Sequence, residues 1–159
     1  VYSQGQNNNG QCGFGYLSQK ENKIKIITFF IEENVKITSI KCGQHHSATL
    51  DQHGNLWTFG LNKNNQCYPS NNNNNNNNIS QTLVVPKPTM VYVNADKIIK
   101  IGCGESFTVF LDEQGIYGGF GKIICSSLDR MNITNWDNTK AIKFKDISCG
   151  NNHIILLTS

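Results

Sequence analysis

Charged residues make up only 16% of this 159-residue chain, and it has three prolines and two methionines. The net charge of +3 is small. The lysines are dispersed, with Lys20, Lys23, Lys25 and Lys36 the nearest approach to a group, whereas a nucleic-acid surface shows a clustered basic stripe. No stretch approaches the about 20 apolar residues that cross a bilayer, and no signal or transit segment is visible. There are six cysteines but no Cys-x-x-Cys, and the shortest separation, Cys103 to Cys125, is 22 residues, which fits no zinc spacing. Unpaired thiols of this kind indicate a reducing compartment, cytoplasm or nucleus. Gly102-Cys103-Gly104 and Gly118-Gly119-Phe120-Gly121 open no helix, so a phosphate-binding loop is unsupported. Nucleophile elbows and kinase signatures are lacking as well.

What the chain does have is a repeated segment. Cys42-Gly43, Leu50-Asp51-Gln52-His53-Gly54 and Phe59-Gly60 recur as Cys103-Gly104, Leu111-Asp112-Glu113-Gln114-Gly115 and Phe120-Gly121, at identical offsets. A third opening, Cys149-Gly150, reaches Leu157 at the same distance. Near the start, Gly5, Asn7, Gln11 and Cys12 repeat the spacing of Gly60, Asn62, Gln66 and Cys67. A repeat fixes architecture before any single residue does.

Each repeat reads as short strands around a turn. His46 to Leu50 and Phe107 to Leu111 carry the β-branched and aromatic residues that strands favour. Asp-x-x-Gly follows, with Asp51 or Asp112 bonding into the turn and Gly54 or Gly115 supplying positive φ. Asn55 to Phe59 and Ile116 to Phe120 form the next strand. Apolar runs at Val35–Ile40, Lys97–Ile101 and Phe144–Ile147 precede each Cys-Gly, and Ile24–Phe30 and Thr89–Val93 are candidates for a fourth strand. Helical periodicity is weak. The fold class is therefore all-β, a partial, open β-propeller of about three blades, each a three- to four-stranded antiparallel sheet. Repeat cores lie at 1–15, 35–67, 97–121 and 144–159.

The combination of Cys-Gly, a His or aromatic a few positions on, Leu-Asp-x-x-Gly, aromatic-Gly, x-Asn and Gln-Cys resembles the regulator of chromosome condensation repeat. It covers nearly the whole chain apart from the connections at 16–34, 68–88 and 122–143. Departures occur at Tyr68, where glycine is usual, at Gly118-Gly119, which replace the aromatic seen at Trp57, and at Lys122-Ile123-Ile124-Cys125. The resemblance implies a seven-bladed propeller. About three blades therefore read as a fragment or a self-associating piece, consistent with a first residue of Val. Isolated, such an arc is expected to be soluble only as an oligomer or a loosely packed monomer.

The cysteines at repeat positions (Cys42, Cys103 and Cys149; Cys12 and Cys67) are expected to be small buried groups. Cys42-x-x-His45-His46 is the strongest candidate for thiol or metal chemistry, yet Phe107 stands where His46 does. A packing slot, with the histidine bonded to neighbouring backbone, is the simpler reading. Asp51 and Asp112 have a sufficient task in the turn, and Glu32-Glu33 reads as a solvated pair. No catalytic, cofactor or metal residues are assigned, and no enzyme activity is expected. Asn71–Asn78 reads as a disordered rim loop within 68–88, and Asn78-Ile79-Ser80 and Asn132-Ile133-Thr134 match glycosylation sequons only as an Asn-rich chain would by chance.

The leading function is a protein-binding scaffold that meets its partner through the variable connections, with Tyr68 and Trp136 the candidate contacts. Phe29, Phe30 and Tyr92 read as blade packing. The resemblance implies an alternative, guanine-nucleotide exchange on a small GTPase such as Ran, and it alone brings in chromatin. A third reading is the targeting part of a larger ligase or kinase. No membrane partner is expected.

Overall fold

The structure, a computed structural model, describes residues 1–67, 83–122 and 142–158. Eleven strands among them form four antiparallel sheets. The first half-blade pairs β1 (Tyr2–Asn7) with β2 (Ser18–Ile26). A full four-stranded blade follows in the order β3 (Ile37–Cys42), β4 (His46–Asp51), β5 (Leu56–Leu61) and β6 (Val84–Val91). The next blade has β7 (Ile98–Cys103), β8 (Phe107–Asp112) and β9 (Tyr117–Gly121). A second half-blade pairs β10 (Phe144–Cys149) with β11 (Ile154–Thr158). This is the open propeller arc that the repeat implies.

The Asp-x-x-Gly turns behave as their sequence dictates. Asp51 Oδ1 accepts the His53 and Asn55 amides at 2.8 and 2.9 Å, and Oδ2 accepts Asn55 Nδ2 at 2.9 Å and Trp57 Nε1 at 3.1 Å. Burial pushes the Asp51 carboxyl up, but the bonds from Asn55, Trp57 and His53 outweigh it and hold the group below its usual range. Asp112 Oδ1 likewise accepts the Gln114 and Ile116 amides, both at 3.0 Å. Gly54 and Gly115 close these turns with φ of 88° and 78°, values open to glycine and costly for other residues.

Three sequence expectations are corrected. The segment Ile24–Phe30 does not form a fourth strand: the strand is Ser18–Ile26, and Phe29–Glu32 make a single helical turn, α1. β2 is largely exposed and reads SQKENKIKI, so backbone pairing to β1 makes the strand while its side chains stay solvated. The strand expected at Thr89–Val93 begins earlier, as β6. Tyr92, expected in blade packing, is 76% exposed just beyond the end of β6. Phe30 is buried, and Phe29 stacks edge-on against Trp57 with ring centroids 5.5 Å apart.

Each blade buries its apolar face on the next. Ala48, Leu50 and Leu56 of one blade pack with Ile98, Ile101 and Phe110 of its successor. Phe107, Val109 and Leu111 repeat the arrangement against Phe144 and Ile147. At the Cys-Gly corners the ring four positions after the cysteine lies on the glycine: His46 on Gly43, Phe107 on Gly104 and His153 on Gly150. A Cβ on Gly104 would overlap the Phe107 ring. Gly104→Ala should lower stability by about 2 kcal/mol through overpacking, read as a lower urea midpoint at unchanged slope.

Candidate functional site

Two junctions between blades carry the same hydrogen bond. Ser47 Oγ, one residue into β4, donates to the Gln11 carbonyl of the preceding unit at 2.9 Å. Thr108 Oγ1, one residue into β8, donates to the Gln66 carbonyl at 2.7 Å. The acceptor loops are built alike. Asn7 Oδ1 accepts the Cys12 amide at 3.1 Å and Asn62 Oδ1 accepts that of Cys67 at 3.0 Å. Gln11 Oε1 accepts the Asn9 amide at 3.0 Å and Gln66 Oε1 accepts that of Asn64 at 2.8 Å. The repeated Asn and Gln therefore shape a loop whose outward carbonyl latches the next blade.

The second latch is extended by His46. Its Nε2 lies 3.0 Å from Thr108 Oγ1. The Thr108 proton is committed to Gln66, so His46 donates from Nε2. Its Nδ1 is buried without a partner. Burial pulls the His46 pKa down to about 4. The histidine does sit in a packing slot, but it bonds a side chain of the following blade rather than nearby backbone. It cannot serve as a free base toward Cys42 while it is engaged this way.

The described cysteines fall into three classes of burial. Cys12 and Cys67 are buried, with thiols against the Gln6 and Leu61 carbonyls at 3.4 and 3.3 Å. Burial pushes both thiols up, Cys67 the further. Cys103 and Cys149 are half-buried against the blade before them, and burial raises their thiols too. Cys42, expected to be buried, is exposed. It lies on an open cleft of about 460 Å³, lined by Val1, Tyr2 and Cys12 on one side and by Ile40, Cys42 and His46 on the other. Elsewhere in the arc the first strand of a blade lies on the second strand of the blade before it, β7 on β4 and β10 on β8. Among the described residues no cluster of three or more His, Cys, Asp or Glu could hold a metal, and no helix is long and apolar enough to cross a membrane.

Of the other predicted positions, Gly43, Gly104 and Gly150 lie under rings at the blade corners, and Gly60 and Gly121 carry φ of 116° and 111° beside the start of the neighbouring strand. Leu50 and Leu111 are core, whereas Leu157 is exposed. Tyr68, Trp136 and the Asn71–Asn78 run lie outside the described residues. Sequence reasoning missed the Ser47 and Thr108 latches. The available signal was a hydroxyl five positions after each of two cysteines.

The regulator of chromosome condensation (RCC1) repeat matches residues 1–50 and 53–111, and a second form of the same repeat matches 37–66. The chain belongs to the RCC1 repeat family. Its similarity to the Danio rerio protein RCC2 homolog is 28% identity, covering all of this chain and 36% of the relative. Against the human X-linked retinitis pigmentosa GTPase regulator it is 26%, covering 99% of this chain and 20% of the relative. The crystal structure of Prp20p from Saccharomyces cerevisiae superposes with a TM-score of 0.71 over 99% of this chain and 39% of that one, at 24% identity. That structure was described together with the binding of Prp20p to Gsp1p and histones. The chain spans about a third or less of these relatives' lengths. Within this RCC1 arc His46 serves a blade junction, and Asp51 and Asp112 serve turns.

Two expectations follow from the second latch. Thr108→Val should cost about 2 kcal/mol, because it strands the Gln66 carbonyl and the His46 N–H in the interior, and Ser47→Ala should cost less at its half-buried junction. The pH dependence has a definite sign. A histidine in the unfolded chain titrates near 6.5, so the unfolded state takes up the proton first. The His46 contribution to stability is then full above about pH 6.5, falls as pH drops toward 4, and levels off below. The total loss is roughly 3 kcal/mol at 1.36 kcal/mol per unit. Urea unfolding at stepped pH should show this slope, and His46→Phe, which copies the Phe107 arrangement, should remove it.

Proposed function

We propose that this RCC1 arc is a rigid protein-binding scaffold whose blade connections meet the partner. The observation that supports the reading is the division of labour in the arc. Asp51, Asp112, Thr108 and His46 are each committed to turns or junctions, and the segments that differ from one repeat to the next are the connections. Rigid strands carrying variable loops are a general basis for recognition. The reading includes Tyr68 and Trp136 as contacts within those connections, and a location in the cytoplasm or nucleus.

A second reading, guanine-nucleotide exchange on a small GTPase, draws on the names of similar proteins. One is called a GTPase regulator, and Prp20p is described with Gsp1p. Prp20p is also described with histones, which brings in chromatin on the same footing. Fold-level likeness assigns no exchange residue here.

One assay separates the two. The immobilised chain is exposed to small GTPases of the Gsp1p type carrying a fluorescent guanine nucleotide, and capture and nucleotide release are followed together. Capture with the intrinsic release rate supports the scaffold. Accelerated release supports exchange, and absence of capture across nucleotide states sinks both for this partner class.

A further inference from the structure

Two successive blade joints use one pair of repeat positions with opposite chemistry. The pair brings the ring four residues after the cysteine of one blade to the residue five after the cysteine of the next. Between the β3–β6 blade and the β7–β9 blade it is His46 and Thr108, in contact at 3.0 Å. Between the β7–β9 blade and the β10–β11 pair it is Phe107 and Ile154, which pack in one apolar cluster. Polar meets polar at the first joint, and apolar meets apolar at the second.

The polar joint has no place for a second proton on its ring. Nε2 is engaged with Thr108, and Nδ1 is buried without a partner. The ring lies on Gly43, and the Gly104 carbonyl of the next blade abuts the same corner. The Phe107 carbonyl favours the proton, but it already accepts the Gly104 amide at 3.0 Å, and burial outweighs it. From β8 the ring is faced by the uncharged Thr108. The ionisable groups on the surrounding elements are Lys41, Cys42 and His45 on β3 and its corner, Cys67 after the latch Gln66, Cys103 on β7, and Glu105, whose amide is turned to Asn151 of the blade beyond. Among them the charge of His45 bears on the ring and adds to the cost of the proton, while burial keeps the Cys67 and Cys103 thiols neutral. A charged ring is therefore accommodated only where the blades part and water reaches Nδ1. The strand ladders inside each blade do not involve this ring.

We infer that the His46–Thr108 pair makes this one joint proton-responsive: it is closed on a neutral ring and opens locally when the ring is charged, while the Phe107–Ile154 joint beside it is indifferent to acid. Local opening differs from a general loss of stability, since the blades stay folded and only their contact is released. With the exposed ring titrating near 6.5 and the closed one at about 4, opening rises about 20-fold between pH 7 and pH 5. The inference stands apart from the partner-binding reading.

Two cysteines at one repeat position report on the two joints separately. Cys103 packs on the blade before the first joint, and Cys149 on the blade before the second. The full chain is pulsed with a pyridyl disulfide at stepped pH, and the labelled cysteines are located by peptide mass. Taking the ratio of Cys103 to Cys149 labelling cancels the fall in thiolate that acid imposes on both. The ratio should rise about 20-fold from pH 7 to pH 5 and return on neutralisation. His46→Phe combined with Thr108→Ile, which copies the second joint, should hold it flat. In the unmodified chain the nitrogen shifts of the His46 ring should still be those of a largely neutral imidazole at pH 5. A flat ratio in the unmodified chain, an equal rise at both cysteines, a rise that persists in the double variant, or a His46 ring that titrates near 6.5 would each overturn the inference.

Discussion

Each blade hides its apolar face only by lying against the next, and the structure depends on the junction that holds them in contact. At the best-formed junction a single hydroxyl, Thr108 Oγ1, is both donor and acceptor: it gives its proton to Gln66 and receives one from His46. The surrounding apolar side chains supply bulk burial without direction. The hydroxyl supplies direction, since only one offset between blades lets it reach both partners. Loop carbonyl, hydroxyl and imidazole come from three places in the repeat, which couples the spacing of one repeat to the packing of its neighbour.

That coupling clarifies what the chain spends its polar residues on. Asp51 and Asp112 organise turns, Asn7, Asn62, Gln11 and Gln66 organise latch loops, and His46 and His153 cap glycine corners. A burial-lowered histidine such as His46 would elsewhere be a candidate catalyst, but here its low proton affinity follows from burial at the junction of two blades.

The arc was legible in the sequence because its strands sit at fixed offsets and its turns need Asp and Gly. β2 was not, because an outer strand held by backbone bonds can be polar along most of its length and so read as a connection. The Phe29–Glu32 turn was hidden in the same stretch, where Phe29 and Phe30 gave an apolar signal that both strand and helix share. Cys42 and Tyr92 were misread for another reason: burial depends on which neighbour is present, and repeat position alone does not carry that. The latches escaped because their acceptors are main-chain carbonyls, which every residue possesses. For the proposed contacts, Tyr68 and Trp136 lie outside the described residues, so the scaffold was more readable than its binding surface.

At the last junction the latch position is Ile154, which has no hydroxyl. Beside the apolar packing of Phe107, Val109 and Leu111 on Phe144 and Ile147, that junction has the Glu105 amide on the Asn151 carbonyl at 2.8 Å, the Phe144 amide on the Gly115 carbonyl at 2.9 Å and an exposed Lys100–Asp146 pair at 3.2 Å. Backbone bonds hold position, and the exposed ion pair adds little. The arc is therefore graded in cooperativity along its length. β10 and β11 lack the hydroxyl that ties β7 and β8 to the blade before, so sub-global opening of that pair should cost less and its amides should exchange with solvent ahead of those in β7 and β8.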